Sequence, residues 1–219
     1  MTNTIYYPIE ILHWAGMTDA CLSDFIQICT AQPDLIHSLN SYQDNALMIA
    51  CRTGNFQIVQ YIIEHTNIDI QHKNYEGNAL MIACKYKHQS IAKYLIENTT
   101  ISINTQDQYH NNLFHVIAQN GLDIIFEIIL QKKKRVFLFQ KNQENKTPFH
   151  TLIDFYIFHK NYYLYELFLL KLQKKHLQLL YIHQKNILDY MYDLLEQKPL
   201  EYAYLKSLIF LMKNKLHLL

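Results

Sequence analysis

The sequence predicts an all-α fold, a helical solenoid of stacked helix-turn-helix repeats joined by short hairpin-like turns. The segment from Asn45 to Cys51 recurs without change as the segment from Asn78 to Cys84, 33 residues further on. A self-match at this period is typical of chains in which one helix pair stacks on the next. Helical periodicity after each copy and polar turn residues between copies favour the same fold class.

The first helix of each repeat is predicted from the recurring segment itself. Small residues occur at Ala50-Cys51 and Ala83-Cys84, so neighbouring helices can approach closely there. The second helix is predicted from apolar residues at i, i+1, i+4 and i+5, a stripe broad enough to pack on its own partner and on the next repeat. That stripe occurs at residues 58–63, 91–96 and 125–130.

Turns are predicted where Asn, Asp, Gln and Gly accumulate between these helices. Such segments occupy residues 71–77, 105–111 and 141–146. After the last of them, Thr147 can cap a helix and Pro148 can occupy its first turn. A further repeat is therefore expected to begin there.

The motif from Thr147 to His150 resembles the opening of the ankyrin repeat family, whose unit reads roughly G-x-T-P-L-H-x-A-A-x-x-G-H before a Leu-rich second helix. The segment from Asn112 to His115, followed by Asn120-Gly121, is the next best match. Leu12 to Ala15 resembles a divergent first repeat. Two repeats depart from the family pattern because they carry Asn-Ala-Leu-Met where the family has Thr-Pro-Leu-His.

The resemblance implies a single ankyrin-repeat domain over residues 1–219, with about six repeats of which the first and last act as caps. The expected repeats are 5–40, 41–73, 74–106, 107–141, 142–180 and 181–219. Their first helices are expected to begin near Ile11, Ala46, Ala79, Leu113, Pro148 and Ile187.

Composition excludes several classes of protein. No apolar run reaches the ~18 residues that a membrane span requires, and the N-terminus lacks the basic and apolar regions of a signal peptide. The four cysteines form no Cys-x-x-Cys pair, which argues against zinc and redox motifs. Buried free thiols in a reducing compartment, and hence a cytoplasmic location, are the expectation.

Catalytic and metal-binding roles are not expected. His13, His115 and His150 share one repeat position, where a ring can bond to backbone in an adjacent turn, and their separation is too large for one zinc ion. Cys51 and Cys84 occupy inward helical positions, which favours packing over nucleophilic catalysis. There is no phosphate-binding loop and no nucleophile elbow. We therefore expect no cofactor, no bound metal and no small-molecule substrate.

Charge is divided unevenly along the chain. Residues 1–130 contain five Lys and Arg against twelve Asp and Glu, whereas residues 131–219 contain fifteen against seven. The sharpest basic cluster is Lys132, Lys133, Lys134 and Arg135. It can be read as an import signal or a phosphate-binding patch, but cations are also favoured at the C-terminus of the preceding helix, and we prefer that interpretation.

The function expected from the resemblance is non-catalytic binding of a protein partner, because ankyrin partners usually lie along the turn tips and the concave helix face. Tip candidates are Tyr42, Gln43, Tyr75, Glu76, Gln108, Tyr109, Gln143 and Glu144. Concave-face candidates are Arg52, Thr53, Lys85, Tyr86, Gln119 and Asn120. The alternative for any one tip residue is that it is polar because it faces water.

Two broader expectations follow from the whole chain. Small ankyrin chains of this composition resemble the effector proteins that some intracellular bacteria deliver into host cells, where the target would be a host protein. The alternative function is a binder of nucleic acid or anionic lipid through the basic C-terminal half, which would show a steep dependence of affinity on salt.

Overall fold

The computed structural model describes residues 7–17, 21–132, 138–159, 189–192, 209–210 and 213. Two compact units divide the chain, an N-terminal unit (Met1–Val116) and a C-terminal unit (Ile117–Leu219). Helices dominate the described residues, and the predicted all-α helical repeat fold is confirmed.

Helix pairs follow one another in the N-terminal unit. They are α1 (Pro8–Gly16) with α2 (Leu22–Ala31), α3 (Ala46–Thr53) with α4 (Phe56–His65), and α5 (Ala79–Lys85) with α6 (Gln89–Asn98), and a 3-10 turn (Pro33–His37) follows α2. A short antiparallel hairpin precedes α5, with β1 (Lys73–Asn74) paired to β2 (Gly77–Asn78). Helix α7 (Leu113–Asn120) crosses the boundary between the units, and α8 (Asp123–Lys132) and α9 (Pro148–His159) lie in the C-terminal unit.

The first helices and the second helices form two layers in the N-terminal unit. Helix α1 packs on α3 and α3 on α5, while α2 packs on α4 and α4 on α6. The small residues predicted to allow this approach, Ala50 and Ala83, are completely buried. Gly54 ends α3 in the left-handed conformation (φ 83°), and any side chain there would overlap the ring of His88.

Four of the predicted first helices begin at the expected residues, namely Ala46, Ala79, Leu113 and Pro148. Helix α1 begins at Pro8, one turn before the expected Ile11, because the ring of Pro8 suits the first turn of a helix. The prediction for His13 is therefore wrong. It lies in the last turn of α1, is exposed, and contacts Trp14 edge to face. The helix expected near Ile187 begins outside the described residues.

The other two histidines of that repeat position have the predicted structural role. The backbone N–H of Asn112 donates to Nδ1 of His115 at 3.2 Å, and that of Thr147 donates to Nδ1 of His150 at 3.2 Å. The Thr147 hydroxyl also lies 2.7 Å from Nδ1 of His150. Both rings are buried, so they stabilise the turn that enters the helix.

Three hairpins share one hydrogen-bonding pattern, in the ranges 40–44, 107–111 and 142–146. An Asx side chain (Asn40, Asp107 or Asn142) accepts from two backbone N–H groups further along its own loop. The next-to-last residue of each range (Gln43, His110 or Asn145) has φ near +60°, as three-residue hairpin loops require. The hairpin of β1 and β2 is one residue shorter and places Gly77 at φ 101°.

Buried asparagines connect the hairpins before α3, α5 and α7 to the helices that follow. Asn45 and Asn78 accept from the backbone N–H groups of Met48 (2.9 Å) and Met81 (3.1 Å), and Asn112 begins α7 in the same way. The amide of Asn78 also donates to the carbonyl of Ser102 at 2.7 Å and to Thr105 at 3.0 Å. One side chain thus caps a helix and binds the loop of the next repeat.

Replacing Asn78 with Ala should lower the free energy of unfolding by about 2–4 kcal/mol, because it removes a helix cap and leaves buried backbone groups without partners. Chemical denaturation monitored by circular dichroism measures this change. Asn98→Ala, at an exposed position in α6, is the control and should stay within about 0.5 kcal/mol of the wild type. Equal effects of the two substitutions would contradict the role assigned to Asn78.

Candidate functional site

Three tyrosines lie at successive hairpin tips of the N-terminal unit. The exposed fractions of Tyr42, Tyr75 and Tyr109 are 63%, 43% and 57%. We refer to these residues as the tyrosine row. Each lies three residues before the asparagine at the start of the following helix, and each side chain is exposed. The row therefore presents aromatic surface to solvent from rigid backbone.

Hydrogen bonds between neighbouring hairpins hold the tyrosine row in place. The backbone N–H of Gln108 donates to the carbonyl of Tyr75 at 2.8 Å, and the Asn74 amide donates to the carbonyl of Tyr42 at 3.3 Å. The ring nitrogen Nε2 of His72 lies 2.8 Å from the carbonyl oxygen of Gln43. The tips consequently form a connected surface across three repeats.

A network of ion pairs lies beside the tyrosine row. Arg52, at the end of α3, pairs with Asp44 of the preceding hairpin at 2.8 Å and with Glu76 of the next hairpin. Glu76 also pairs with Lys85, which occupies in α5 the repeat position that Arg52 occupies in α3. Asn74 donates to Asp44 at 2.7 Å, so both carboxylates are fully engaged.

Burial sets the electrostatics of this network. Burial alone would raise the pKa of Glu76, but hydrogen bonds from Lys85 and Arg52 hold its pKa below the ordinary value of 4.5. Burial alone would lower the pKa of Lys85, and the hydrogen bond with Glu76 raises it instead. Both groups therefore stay charged at neutral pH, and their pairing neutralises them locally.

Tyr86 is fixed by Arg52. Its hydroxyl accepts a hydrogen bond from Arg52 at 2.8 Å, and the guanidinium carbon lies 5.1 Å from its ring centroid. The side chain nevertheless stays 41% exposed. Arg52 thus orients an accessible aromatic ring while its own charge is neutralised by carboxylates.

Most residues predicted to bind a partner are accessible. Tyr42, Gln43, Thr53, Tyr75, Lys85, Tyr86, Gln108, Tyr109, Gln119, Gln143 and Glu144 are exposed, and Arg52 and Asn120 are half-buried. The structure brings together Arg52, Lys85, Tyr75 and Tyr86 through the ion-pair network.

The expectation that Glu76 is an exposed tip residue is wrong. Only 7% of it is accessible, because its carboxylate turns inward to meet Arg52 and Lys85. Sequence reasoning also missed Asp44 and Asn74, which complete the network. The spacing between Asp44 and Arg52, eight residues with opposite charges, recurs between Lys146 and Asp154 with the charges exchanged and was an available signal.

The C-terminal unit contains the corresponding tie between a hairpin and its helix. Lys146 pairs with Asp154 of α9 at 2.9 Å and with Glu144 at 3.4 Å, and the Tyr190 hydroxyl donates to Asp154. Of the predicted basic patch, Lys132 is the last residue of α8. Lys133, Lys134 and Arg135 lie outside the described residues.

The cysteines predicted to be inert are buried. Burial raises the pKa of Cys84 to about 12 and raises that of Cys51 further, so neither thiol ionises near neutral pH. In the described ranges, no group of three or more His, Cys, Asp or Glu side chains could hold a metal ion. No helix in that part of the chain combines the length and apolar character needed to cross a bilayer.

Part of the chain matches the sequence model of a known protein family. Residues 12–107 match the model for ankyrin repeats in three copies. This segment belongs to the ankyrin repeat family. Ankyrin repeats are generally protein–protein interaction modules. No curated protein matches the chain.

Acid should destabilise the ankyrin segment partly through Glu76. Because its folded pKa lies below its unfolded value, Glu76 stabilises the fold above about pH 4.5, and this contribution is lost as pH falls through the folded pKa. We expect Glu76→Gln to cost about 1–3 kcal/mol at neutral pH and to flatten the decline of stability toward acid. Denaturant titrations across the acidic range provide the measurement.

The control for this prediction is Glu64→Gln, which changes an exposed carboxylate on α4 and leaves the network intact. It should follow the wild-type pH curve. If Glu76→Gln also followed that curve, the network would not contribute to stability as described.

Proposed function

We propose that the N-terminal unit binds a protein partner through the tyrosine row, Tyr86 and the exposed ends of α3 and α5. The observation that carries this proposal is the alignment of exposed aromatic side chains on hairpins that hydrogen bonds connect to one another. Monomeric proteins usually avoid contiguous exposed apolar surface, which marks interaction sites where it occurs.

Tyrosine is well suited to this role. It offers a large contact area with few rotatable bonds, and its hydroxyl can bond to a polar partner at the edge of the contact. Here the backbone that carries each ring is already ordered, and Arg52 restrains Tyr86. Binding therefore orders little that is not ordered beforehand, which favours affinity.

The predicted residues have three roles in this binding surface. Tyr75, Tyr86, Tyr109 and Lys85 are the contact residues, whereas Arg52 positions them from the half-buried side. Residues at the polar edge of the surface are Gln43, Thr53 and Gln108. Such a centre of aromatic contacts with a polar rim is the usual distribution of binding energy in protein interfaces.

We further infer a non-catalytic role in the cytoplasm. The family's general use as an interaction module supports the absence of turnover chemistry, and free buried thiols suit a reducing compartment. An effector role, with a host protein as the target, is an extension by analogy with small ankyrin proteins of intracellular bacteria.

The second candidate function is binding of nucleic acid or anionic lipid through the C-terminal half. Its support is the excess of fifteen basic over seven acidic residues in the range 131–219. Contacts with phosphates weaken steeply as salt rises, whereas a largely aromatic contact with protein does not. Affinity capture of binding partners at two ionic strengths distinguishes the two functions, because only capture through phosphate contacts should fall steeply at the higher ionic strength.

The double substitution Tyr86→Ala with Tyr109→Ala should reduce capture of the protein partner about 30-fold, since each anchor tyrosine contributes roughly 1–2 kcal/mol or more at a contact of this kind. Affinity capture from eukaryotic lysate, followed by quantitative mass spectrometry, measures the loss. Helicity and melting temperature should be unchanged, because both rings are exposed.

Ile124→Ala is the matched control, because Ile124 is an equally exposed apolar residue on α8. It should capture the partner as the wild type does. Loss of helicity in the double variant would mean that the two tyrosines support the core and would remove them from the binding surface.

A further inference from the structure

Exposed charge is distributed unevenly between the two helix layers of the N-terminal unit. The second helices and the loops after them carry exposed carboxylates, which are Asp24, Asp34, Glu64, Asp69 and Glu97. Lys93 is the one lysine in α2, α4 and α6, which contain no arginine. This side of the ankyrin segment is therefore acidic and repels a negatively charged partner.

The hairpin side has the opposite character. Its carboxylates Asp44 and Glu76 are buried and neutralised by the ion-pair network. Asp107 is half-buried and accepts two backbone N–H groups and the Asn111 amide. The exposed cations are Lys73 and Lys85. The exposed full charges of the hairpins before and after α3 are consequently positive, although residues 1–130 as a whole are acidic.

Lys85 is the cation that is both ordered and available. Its ammonium carries three N–H donors, and Glu76 is its only acceptor among the residues that the structure describes. Half of the side chain is accessible (51%). By contrast, Arg52 already donates to Asp44, Glu76 and the Tyr86 hydroxyl. A ligand carboxylate can therefore bind Lys85 without displacing an existing bond.

Two tyrosines, Tyr75 and Tyr86, interact electrostatically with this ammonium. Tyr86 follows Lys85 directly in the chain, and Tyr75 precedes Glu76, the residue that holds the ammonium. The carbonyl of Tyr75 accepts from the backbone N–H of Gln108, which brings the hairpin of Tyr109 alongside. A positive charge thus lies near exposed aromatic side chains that favour apolar contact. This combination suits a carboxylate with apolar groups on either side of it.

We propose that the partner segment bound here is an acidic peptide in which an Asp or Glu side chain, flanked by apolar residues, binds Lys85 between Tyr75, Tyr86 and Tyr109. The inference rests on the proposed function and specifies the chemistry of its partner. Charge complementarity with the hairpin side selects the acidic residue, and the acidic second-helix side directs it away from other surfaces.

The experiment uses the full chain, labelled, on an array of short synthetic peptides. The central residue of each peptide is Glu, Gln or Lys, and the flanking residues are drawn from Ala, Val, Leu, Phe and Pro. Glu and Gln have nearly the same shape, so their comparison isolates charge. We expect peptides with Glu to bind about five- to tenfold better than their Gln counterparts, and peptides with Lys to bind least.

Matched variants assign the preference to Lys85. Lys85→Met should remove the difference between Glu and Gln peptides, and Lys85→Arg should keep it. Lys93→Met, at the exposed position on α6, should also keep it. Because Lys85→Met also loses the bond with Glu76, its melting temperature is measured in parallel. High salt should make the wild-type protein bind the Glu and Gln peptides with nearly equal affinity, because salt screens the charge of Lys85.

The outcomes separate this inference from the proposed function. Equal binding of Glu and Gln peptides, or a preference that survives Lys85→Met, overturns the inference. If binding then still depends on Tyr86 and Tyr109, the proposed function stands. If peptide binding does not depend on these tyrosines either, both the inference and the proposed function are overturned. An array that binds nothing also overturns the inference, and capture of the protein partner then decides the proposed function.

Discussion

The buried asparagine at the start of α3, α5 and α7 forms the interactions on which the rest of the N-terminal unit depends. Asn78 has no exposed surface, caps α5 and donates to the loop of the following repeat. A buried amide must satisfy its donors and its acceptor, so its position determines where the hairpin ends and where the next loop passes. A stack of small helix pairs gains from such ties because each repeat buries too little surface to be stable alone.

Ion pairs between neighbouring repeats connect the fold to the candidate binding surface. Arg52 and Lys85 occupy one repeat position, and the carboxylate of Glu76 lies between them. That arrangement neutralises the buried carboxylate and leaves the tyrosine side chains and the Lys85 ammonium at the surface. Two residues at the same repeat position, Arg52 and Lys85, thus bind one carboxylate. Neither repeat would form this local site without its neighbour.

The sequence predicts the features that depend on local chemistry. The unchanged segments that begin at Asn45 and Asn78 indicate both the repeat length and the helix starts, and Thr147 before Pro148 indicates the start of α9. It does not predict that Glu76 is buried. That outcome depends on Arg52, 24 residues earlier, which reaches the next hairpin only once the repeats are stacked. The position of His13 differs from the prediction for another reason, because Pro8 extends α1 by a turn that the repeat pattern does not contain.

Native-state hydrogen exchange of the Met81 amide tests the central claim most directly, because this N–H is held by the Asn78 side chain and by no helical carbonyl. If Asn78 joins its own helix to the next loop, the Met81 amide should exchange with the same free energy of opening as amides in the interiors of α5 and α6. Exchange as fast as that of an exposed turn amide, with the helix interiors still protected, would contradict the account.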